Sequence, residues 1–261
     1  MEKPLVSIIT PSYNSGKFIE RAILSVKEQD YPNIEHIIVD GKSSDNTLDI
    51  IQKYEKSYNL KWISEKDSGS VEAMNKGFTM AKGDIVAWLD ADNYYNLGVI
   101  KKVAELFSQN PELEVIYGNV SIFSNGRNRL HIPVHPTDFN TALLKGCSAI
   151  PPQPGAFFKK KLFFKVGSFD PTYKIAYDYD FWLRLLKEKP KIKYLPICFG
   201  NFRVHKEGLS SNFFGAIKGV SETIRIGKKY NQPLSGKIYL CLGYLWIIKS
   251  YILQKIIRYG K

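Results

Sequence analysis

Four short apolar runs, each followed by a polar stretch and then a helix-length segment, dominate the first part of the chain. They occupy residues 5–10, 35–40, 60–64 and 84–89, and the last holds Ile85-Val-Ala-Trp-Leu89 without interruption. A strand that is apolar on both pleat faces needs cover on both sides, which crossover helices over a parallel sheet provide. Strands and helices alternating at this spacing predict a parallel sheet joined by right-handed crossovers. Helices are expected over 17–29, 47–58, 70–81 and 97–109, the first capped by Asn14 or Ser15, with a further strand at 115–117.

In such sheets ligands lie beyond the carboxyl ends of the strands. Asp40, Asp67, Asp90 and Asp92 all follow predicted strands, so they are expected to converge on one edge. Asp90-Ala91-Asp92 offers two hard oxygen donors, suited to Mg²⁺ or Mn²⁺ carrying a diphosphate. On its own the same tripeptide reads more readily as a solvated turn. Other nucleotide and metal sites are disfavoured: the chain has no Gly-x-Gly-x-x-Gly after its first strand, no Gly-x-x-x-x-Gly-Lys-Ser/Thr, no His-Glu-x-x-His and no Cys-x-x-Cys.

Past residue 118 the pattern changes. Short strands are expected at 121–123 and 129–132, and a rigid loop at Pro151-Pro-Gln-Pro-Gly155. A helix is expected over 178–188 with Phe181, Leu185 and Leu186 on its apolar side, then strands at 193–199 and 202–204, and helix from 213 onward. Charge follows the same division. Residues 1–180 carry 21 Lys/Arg against 22 Asp/Glu, whereas residues 181–261 carry 16 against 3, which points to an anionic partner for the last third.

Five ordered segments then carry a resemblance. Ser7-Ile-Ile-Thr-Pro-Ser-Tyr-Asn14, Ile38-Val-Asp-Gly-Lys-Ser-Ser-Asp-Asn-Thr47, Ser64-Glu-Lys-Asp-Ser-Gly69, Ala73-Met-Asn-Lys-Gly77 and Ala81-Lys-Gly-Asp84 through Leu89-Asp-Ala-Asp92 resemble the family 2 glycosyltransferases, over roughly residues 4–215. The resemblance implies an α/β fold of GT-A type: a Rossmann-like, mostly parallel sheet flanked by helices, here with a C-terminal helical extension. It divides the chain into a nucleotide-sugar-binding half at 1–118, an acceptor-binding and catalytic-base half of the same domain at 119–212, and a basic amphipathic tail at 213–261.

The implied roles carry over residue by residue. Pro11 and Tyr13 would line the base pocket, Tyr13 by stacking, and Asp40 would accept hydrogen bonds from the base. Asp67 and Asn75 would lie near the nucleotide or diphosphate. Asp90 would face the ribose and Asp92 a Mn²⁺ or Mg²⁺ ion, with His205 of Phe202-Arg-Val-His205 as a third metal ligand or a diphosphate contact. Inverting transfer is a single displacement needing one base for the acceptor hydroxyl. Asp178 matches that position; Asp180 is the alternative, or pairs with Arg184 four residues on. The family usually has Glu before this Asp, where this chain has Tyr177.

The resemblance implies transfer of one hexose-type sugar from a nucleotide-diphosphate donor, UDP-linked, to a glycan acceptor on a lipid carrier, in bacterial surface polysaccharide assembly such as O-antigen or capsule. The Gln-x-x-Arg-Trp signature of processive synthases is absent. The 11-residue apolar run 238–248 is too short to span a bilayer, which takes about 20 residues. With its basic flanks it reads as an interfacial helix on an anionic membrane surface, or as a helix packed on the core or on a second copy in a homodimer. Three scattered cysteines and a first strand with no leader-like segment before it predict a cytoplasmic protein, peripheral on the inner face of the membrane. No nucleic acid is expected as partner on this reading. A noncatalytic nucleic-acid-binding protein using the basic last third, and a nucleotidyltransferase, are the readings left open.

Overall fold

The computed structural model describes residues 3–124, 127–132, 138–145, 150–151, 153–205, 207–208 and 213–233. In chain order the elements are β1 (Val6–Ser12), α1 (Ile19–Lys27), β2 (Ile34–Asp40), α2 (Thr47–Tyr54), β3 (Leu60–Ser64), α3 (Ser70–Met80), β4 (Ile85–Trp88), β5 (Tyr94–Tyr95) and α4 (Val99–Gln109). There follow β6 (Val115–Ser124), β7 (Arg127–Ile132), α5 (Phe139–Lys145), β8 (Ala156–Lys159), α6 (Lys160–Val166), α7 (Tyr177–Lys187), β9 (Ile192–Arg203) and α8 (Phe213–Lys229). The strands form one sheet in the order β3-β2-β1-β4-β8-β6-β9-β5, with β7 paired to β6. The β3-β2-β1-β4 part is parallel, as the alternation predicts, and β8 is antiparallel to both its neighbours.

Both faces of this sheet are buried, and the pleat sorts the side chains. Ile9, Val86, Trp88 and Phe158 join a cluster with α3, α6 and α7; their neighbours Ile8, Ala87 and Phe157 join another with α1 and α4. This period of two explains why the runs read as continuously apolar. The first cluster holds a block of aromatic rings. Trp88, the last residue of β4, lies 6.4 Å from Phe181 and 6.2 Å from Trp182 of α7. That contact fixes the rotation of α7 about its axis, because Phe181 and Trp182 are fully buried.

Several expectations are corrected. β6 runs without a break from Val115 to Ser124, so the change of pattern near residue 118 is not a break in the sheet. The two strands expected at 193–199 and 202–204 are one 12-residue strand, β9, which shifts register at Gly118/Asn119 and Asn119/Val120 of its partner and runs on through Gly200 and Asn201, paired with Val120 and Ser121. Neither Asn14 nor Ser15 caps α1: Asn14 Oδ1 accepts from the Ser44 N–H at 2.9 Å, and the Ser15 hydroxyl donates to the Tyr13 carbonyl. The seven-residue α5 and α6 have no counterpart in the sequence reading. The apolar run 238–248 lies outside the described residues, and among those described no helix is long and apolar enough to cross a membrane.

Candidate active site

A cavity of about 900 Å³ opens at the carboxyl edge of β1, β2 and β4, and Pro11, Tyr13, Asp67, Asp90, Asp92, Asp178 and His205 all line it. Local structure brings them there. Asp90 follows Trp88 by two residues, and Asp178 precedes Phe181 and Trp182 by one helical turn on the same face. The ring contact between β4 and α7 therefore draws the two carboxylates to one place. β5 pairs antiparallel with the end of β9, Tyr94 opposite Asn201, which returns Arg203 and His205 to the loop after β4.

His205 Nε2 lies 2.8 Å from Asp92 Oδ2, while its Nδ1 is buried with no hydrogen-bond partner among the described residues. Arg203 donates from Nε to the Asp92 carbonyl at 3.1 Å, with its guanidinium 4.9 Å from the Phe18 ring and 4.6 Å from the Phe123 ring. Asn93, buried, accepts the Arg203 N–H at 2.8 Å and holds the turn. Burial pushes the Asp90 carboxyl well above the usual carboxylate range, and the charges of Asp92 and Asp178 push it the same way. Burial raises Asp178 to about 6, against the Tyr179 N–H that donates to its Oδ1 at 2.8 Å. Burial raises Asp67 too, although the Gly69 N–H donates to it at 2.9 Å. Gly69 sits at φ 124°, a conformation that turns the chain from Asp67 into α3 and that suits glycine.

The site is thus a recess lined by mutually repelling acids, which favours a cation. Among the described residues no three His, Cys, Asp or Glu side chains gather closely enough to hold an ion unaided. One carboxylate oxygen and one imidazole nitrogen do meet, and the imidazole is otherwise held only by its ring contact with Phe18 at 4.5 Å, among the described residues. That donor pair fits Mn²⁺ or Mg²⁺ when a diphosphate supplies further oxygens.

Three expected site residues do not line the cavity. Asp40 is fully buried, and its carboxylate accepts from the Ser43 N–H at 2.8 Å, the Ser43 hydroxyl at 2.5 Å and the Ser64 hydroxyl at 2.8 Å. A buried carboxylate needs such donors, and here they fold the 41–46 loop onto β2 and β3. Asn75 is engaged by main chain: its Nδ2 donates to the Phe169 carbonyl at 2.9 Å and its Oδ1 accepts the Phe169 N–H at 3.0 Å, tying α3 to the loop before α7. Asp180 is fully buried on the other side of α7, where Arg184 at 2.9 Å, Lys229 at 2.8 Å and the Tyr230 hydroxyl at 3.1 Å surround it. The i+4 pairing with Arg184 is thus present and the alternative base is turned away from the cavity, because two residues along a helix is a rotation of about 200°.

The sequence reading missed Asn93, whose Asx-type turn was readable in Asp90-Ala91-Asp92-Asn93, and Glu222 of α8, which carried no local signal. α8 was expected to belong to a tail; instead Gly215, Ala216, Gly219 and Thr223 line the cavity.

A parallel α/β sheet with an acid-lined recess at its carboxyl edge, joined by a mixed second half whose helix α7 brings a carboxylate with no ion pair among the described residues, is the GT-A arrangement of glycosyltransferases. Residues 7–175 match the family described as glycosyl transferase family 2, and the chain belongs to that family and is a glycosyltransferase. It is similar to the putative teichuronic acid biosynthesis glycosyltransferase TuaG of Bacillus subtilis, 30% identical over 226 residues that cover 83% of this chain and 85% of that one. It is 28% identical over 222 residues to an uncharacterized glycosyltransferase of Haemophilus influenzae, covering 83% and 74%. The fold matches S. aureus TarS 1-349 in complex with UDP-GlcNAc at a TM-score of 0.69 and 22% identity, over 82% of this chain and 66% of that one, just under two thirds of its length. It also matches the mannosyltransferase PcManGT from Pyrobaculum calidifontis in complex with GDP-Man and Mn²⁺, at 0.66 and 23% identity over 100% and 77%.

Proposed function

We propose that this glycosyltransferase moves a single sugar, with inversion, from a UDP-linked donor to a glycan acceptor on a lipid carrier in bacterial surface polysaccharide assembly. The observation that carries the reading is Asp178: a carboxylate with no cationic partner among the described residues, raised to about 6 by burial, in the same recess as Asp90, Asp92 and His205. A base poised near neutral pH and facing the donor site is what a single displacement requires.

Tyr13, 64% exposed on the cavity rim, would stack on the base, with Pro11 behind it. Asp67 and Asp90 would meet the nucleoside, and Asp92 with His205 would hold Mn²⁺ or Mg²⁺. When bound, the ion would neutralise charge on the departing nucleoside diphosphate. Arg203 would add a fixed positive charge on the same side. Asp178 would take the acceptor hydroxyl proton onto its carboxylate as the acceptor oxygen forms its bond to the anomeric carbon. Tyr177, in place of the usual Glu, would leave the acceptor wall uncharged beside that base. A nucleotide-sugar donor is supported by the UDP-GlcNAc of the TarS complex and the GDP-Man of the PcManGT complex, the metal by the PcManGT complex, and the polysaccharide class by TuaG.

A cytoplasmic location at the inner membrane face belongs to the same proposal. Phe214, Ile217 and Ile224 of α8 are exposed, and the basic excess lies in the same third of the chain. Arg225 and Lys229 are not available for this: Arg225 donates to the Thr172 carbonyl and Lys229 pairs with Asp180.

The test is a thermal-shift screen of nucleotide sugars with and without Mn²⁺. A UDP-hexose is expected to raise Tm in Mn²⁺ and to lose that effect in excess EDTA. A shift of equal size in EDTA would remove the metal, and no shift across UDP- and GDP-sugars would remove the donor reading.

A further inference from the structure

Glu222 is a buried acid, 6% exposed, in the middle of α8. Among the described residues it makes no ion pair. Its carboxylate instead accepts three consecutive main-chain N–H groups: Lys174 on Oε1 at 2.8 Å, and Ile175 and Ala176 on Oε2 at 2.8 and 2.9 Å. Ala176 is the residue preceding α7, and it has no side chain able to cap that helix. The N–H groups at a helix start have no partner within the helix and cost free energy when buried unpaired. Glu222 takes the N–H of Ala176, at the boundary of α7, from 46 residues away, together with the two N–H groups before it, and its carboxylate sits at the end of α7 that favours negative charge.

The contact has been made close. One turn before Glu222 on α8 stands Gly219, where a Cβ would come within 3.0 Å of Ile175 Cγ2. Lys174, Ile175, Ala176, Tyr177 and Asp178 form one wall of the cavity. The three hydrogen bonds therefore hold the stretch of main chain that ends two residues before Asp178.

We propose that Glu222 is a positioning residue for sugar transfer: it clamps the main chain at 174–176 so that Asp178 is held at its working place in the cavity wall. This rests on the reading of Asp178 as the base. Pro11 lies near the end of β1, Tyr13 just beyond it and Asp67 on the loop after β3; among the hydrogen bonds of the described residues, only the Asp67 loop meets the clamped stretch, where Lys174 Nζ donates to the Ser68 carbonyl at 3.2 Å, a side-chain contact separate from the main-chain bonds to Glu222. The clamp should therefore act on turnover and leave nucleotide binding alone.

The experiment compares Glu222→Ala, Glu222→Gln, Asp178→Asn and Lys229→Met in the full chain. It measures UDP binding with Mn²⁺ and steady-state UDP release from a UDP-hexose that the wild type turns over. Glu222→Ala is expected to keep UDP affinity within about twofold while kcat falls by about a hundredfold, the scale of a misplaced reacting group. Glu222→Gln, whose amide oxygen still accepts, is expected to fall between, and it carries the test if the alanine variant does not fold. Lys229→Met loosens the contact of α8 with Asp180 and is expected to lower Tm with kcat retained. A Glu222→Gln or Glu222→Ala enzyme with wild-type kcat overturns the inference. So does a kcat loss matched by Lys229→Met at the same Tm, which would make Glu222 a matter of stability alone. Full turnover by Asp178→Asn would instead bring down the assignment of the base, whatever Glu222 does.

Discussion

The acids at the carboxyl edge of the sheet and the acids where α7 meets α8 are provided for in opposite ways. Asp180 has two cations and a tyrosine hydroxyl around it, and Glu222 has three main-chain donors. Asp90 and Asp178 have no salt bridge among the described residues, and Asp92 has only His205. Asp178 and Asp180 stand on one helix two residues apart; local sequence gives Asp180 its Arg184 four residues on, while Lys229 and Tyr230 reach it from the end of α8 and just beyond. The difference lies in what each group faces. An acid that holds two helices together is given cations or hydrogen-bond donors by the protein; an acid lining the candidate site is left uncompensated and raises the free energy of the folded chain.

The strongest way to break this comparison is Asp178→Asn. Loss of the base is expected to cut transfer by about a thousandfold, read as initial rates of UDP release. The same change is expected to stabilise the fold. Because Asp178 is raised to about 6 in the folded protein, its ionisation penalises folding progressively as pH rises from the ordinary carboxylate value to about 6, and by a constant amount above that. The amide carries no such penalty, so Asp178→Asn should gain up to about 3 kcal/mol at pH 7.5 by chemical denaturation. In the wild type, kcat/KM should fall on the acid side of about 6, by about tenfold per pH unit. An inactive variant no more stable than the wild type would dissolve the contrast.

Asp180→Ala probes the other region. It leaves Arg184 and Lys229 facing a void, and a loss of about 3 kcal/mol is expected in urea unfolding, with UDP affinity unchanged. A variant that instead kept its stability and lost turnover would return Asp180 to the chemistry. The smallest effect is expected at the rim. Tyr13→Ala should raise the donor KM by about fivefold to tenfold through lost stacking, with kcat retained; an unchanged KM would place the base elsewhere.

The parallel part of the sheet was legible in the sequence because its signals are local: apolar runs, breaks and helix periodicity within some thirty residues of each other. β9 was misread because Gly200-Asn201 was left out as a break between two strands, whereas pairing with β6 on one side and β5 on the other carries the strand through both residues. Asp90, Asp92 and Asp178 were found through motif and family resemblance. Which neighbours each carboxylate would keep was not legible. Asp40 and Asn75 sit in the same motifs, yet Ser43, Ser64 and the Phe169 main chain engage them. Glu222 could not be found at all, since its partners are main-chain groups that every sequence has.

The pairing of His205 with Asp92 spans 113 positions of chain. On the ribosome, with about 5–20 residues added each second, Asp92 would wait on the order of ten seconds for its partner to emerge. The first four strands can assemble in that time, but the recess remains without its imidazole and, for longer still, without Glu222. A nascent chain would therefore have its nucleotide-side loops before it has the means to spend a donor, and sugar transfer would begin only when the last wall of the site has been synthesised.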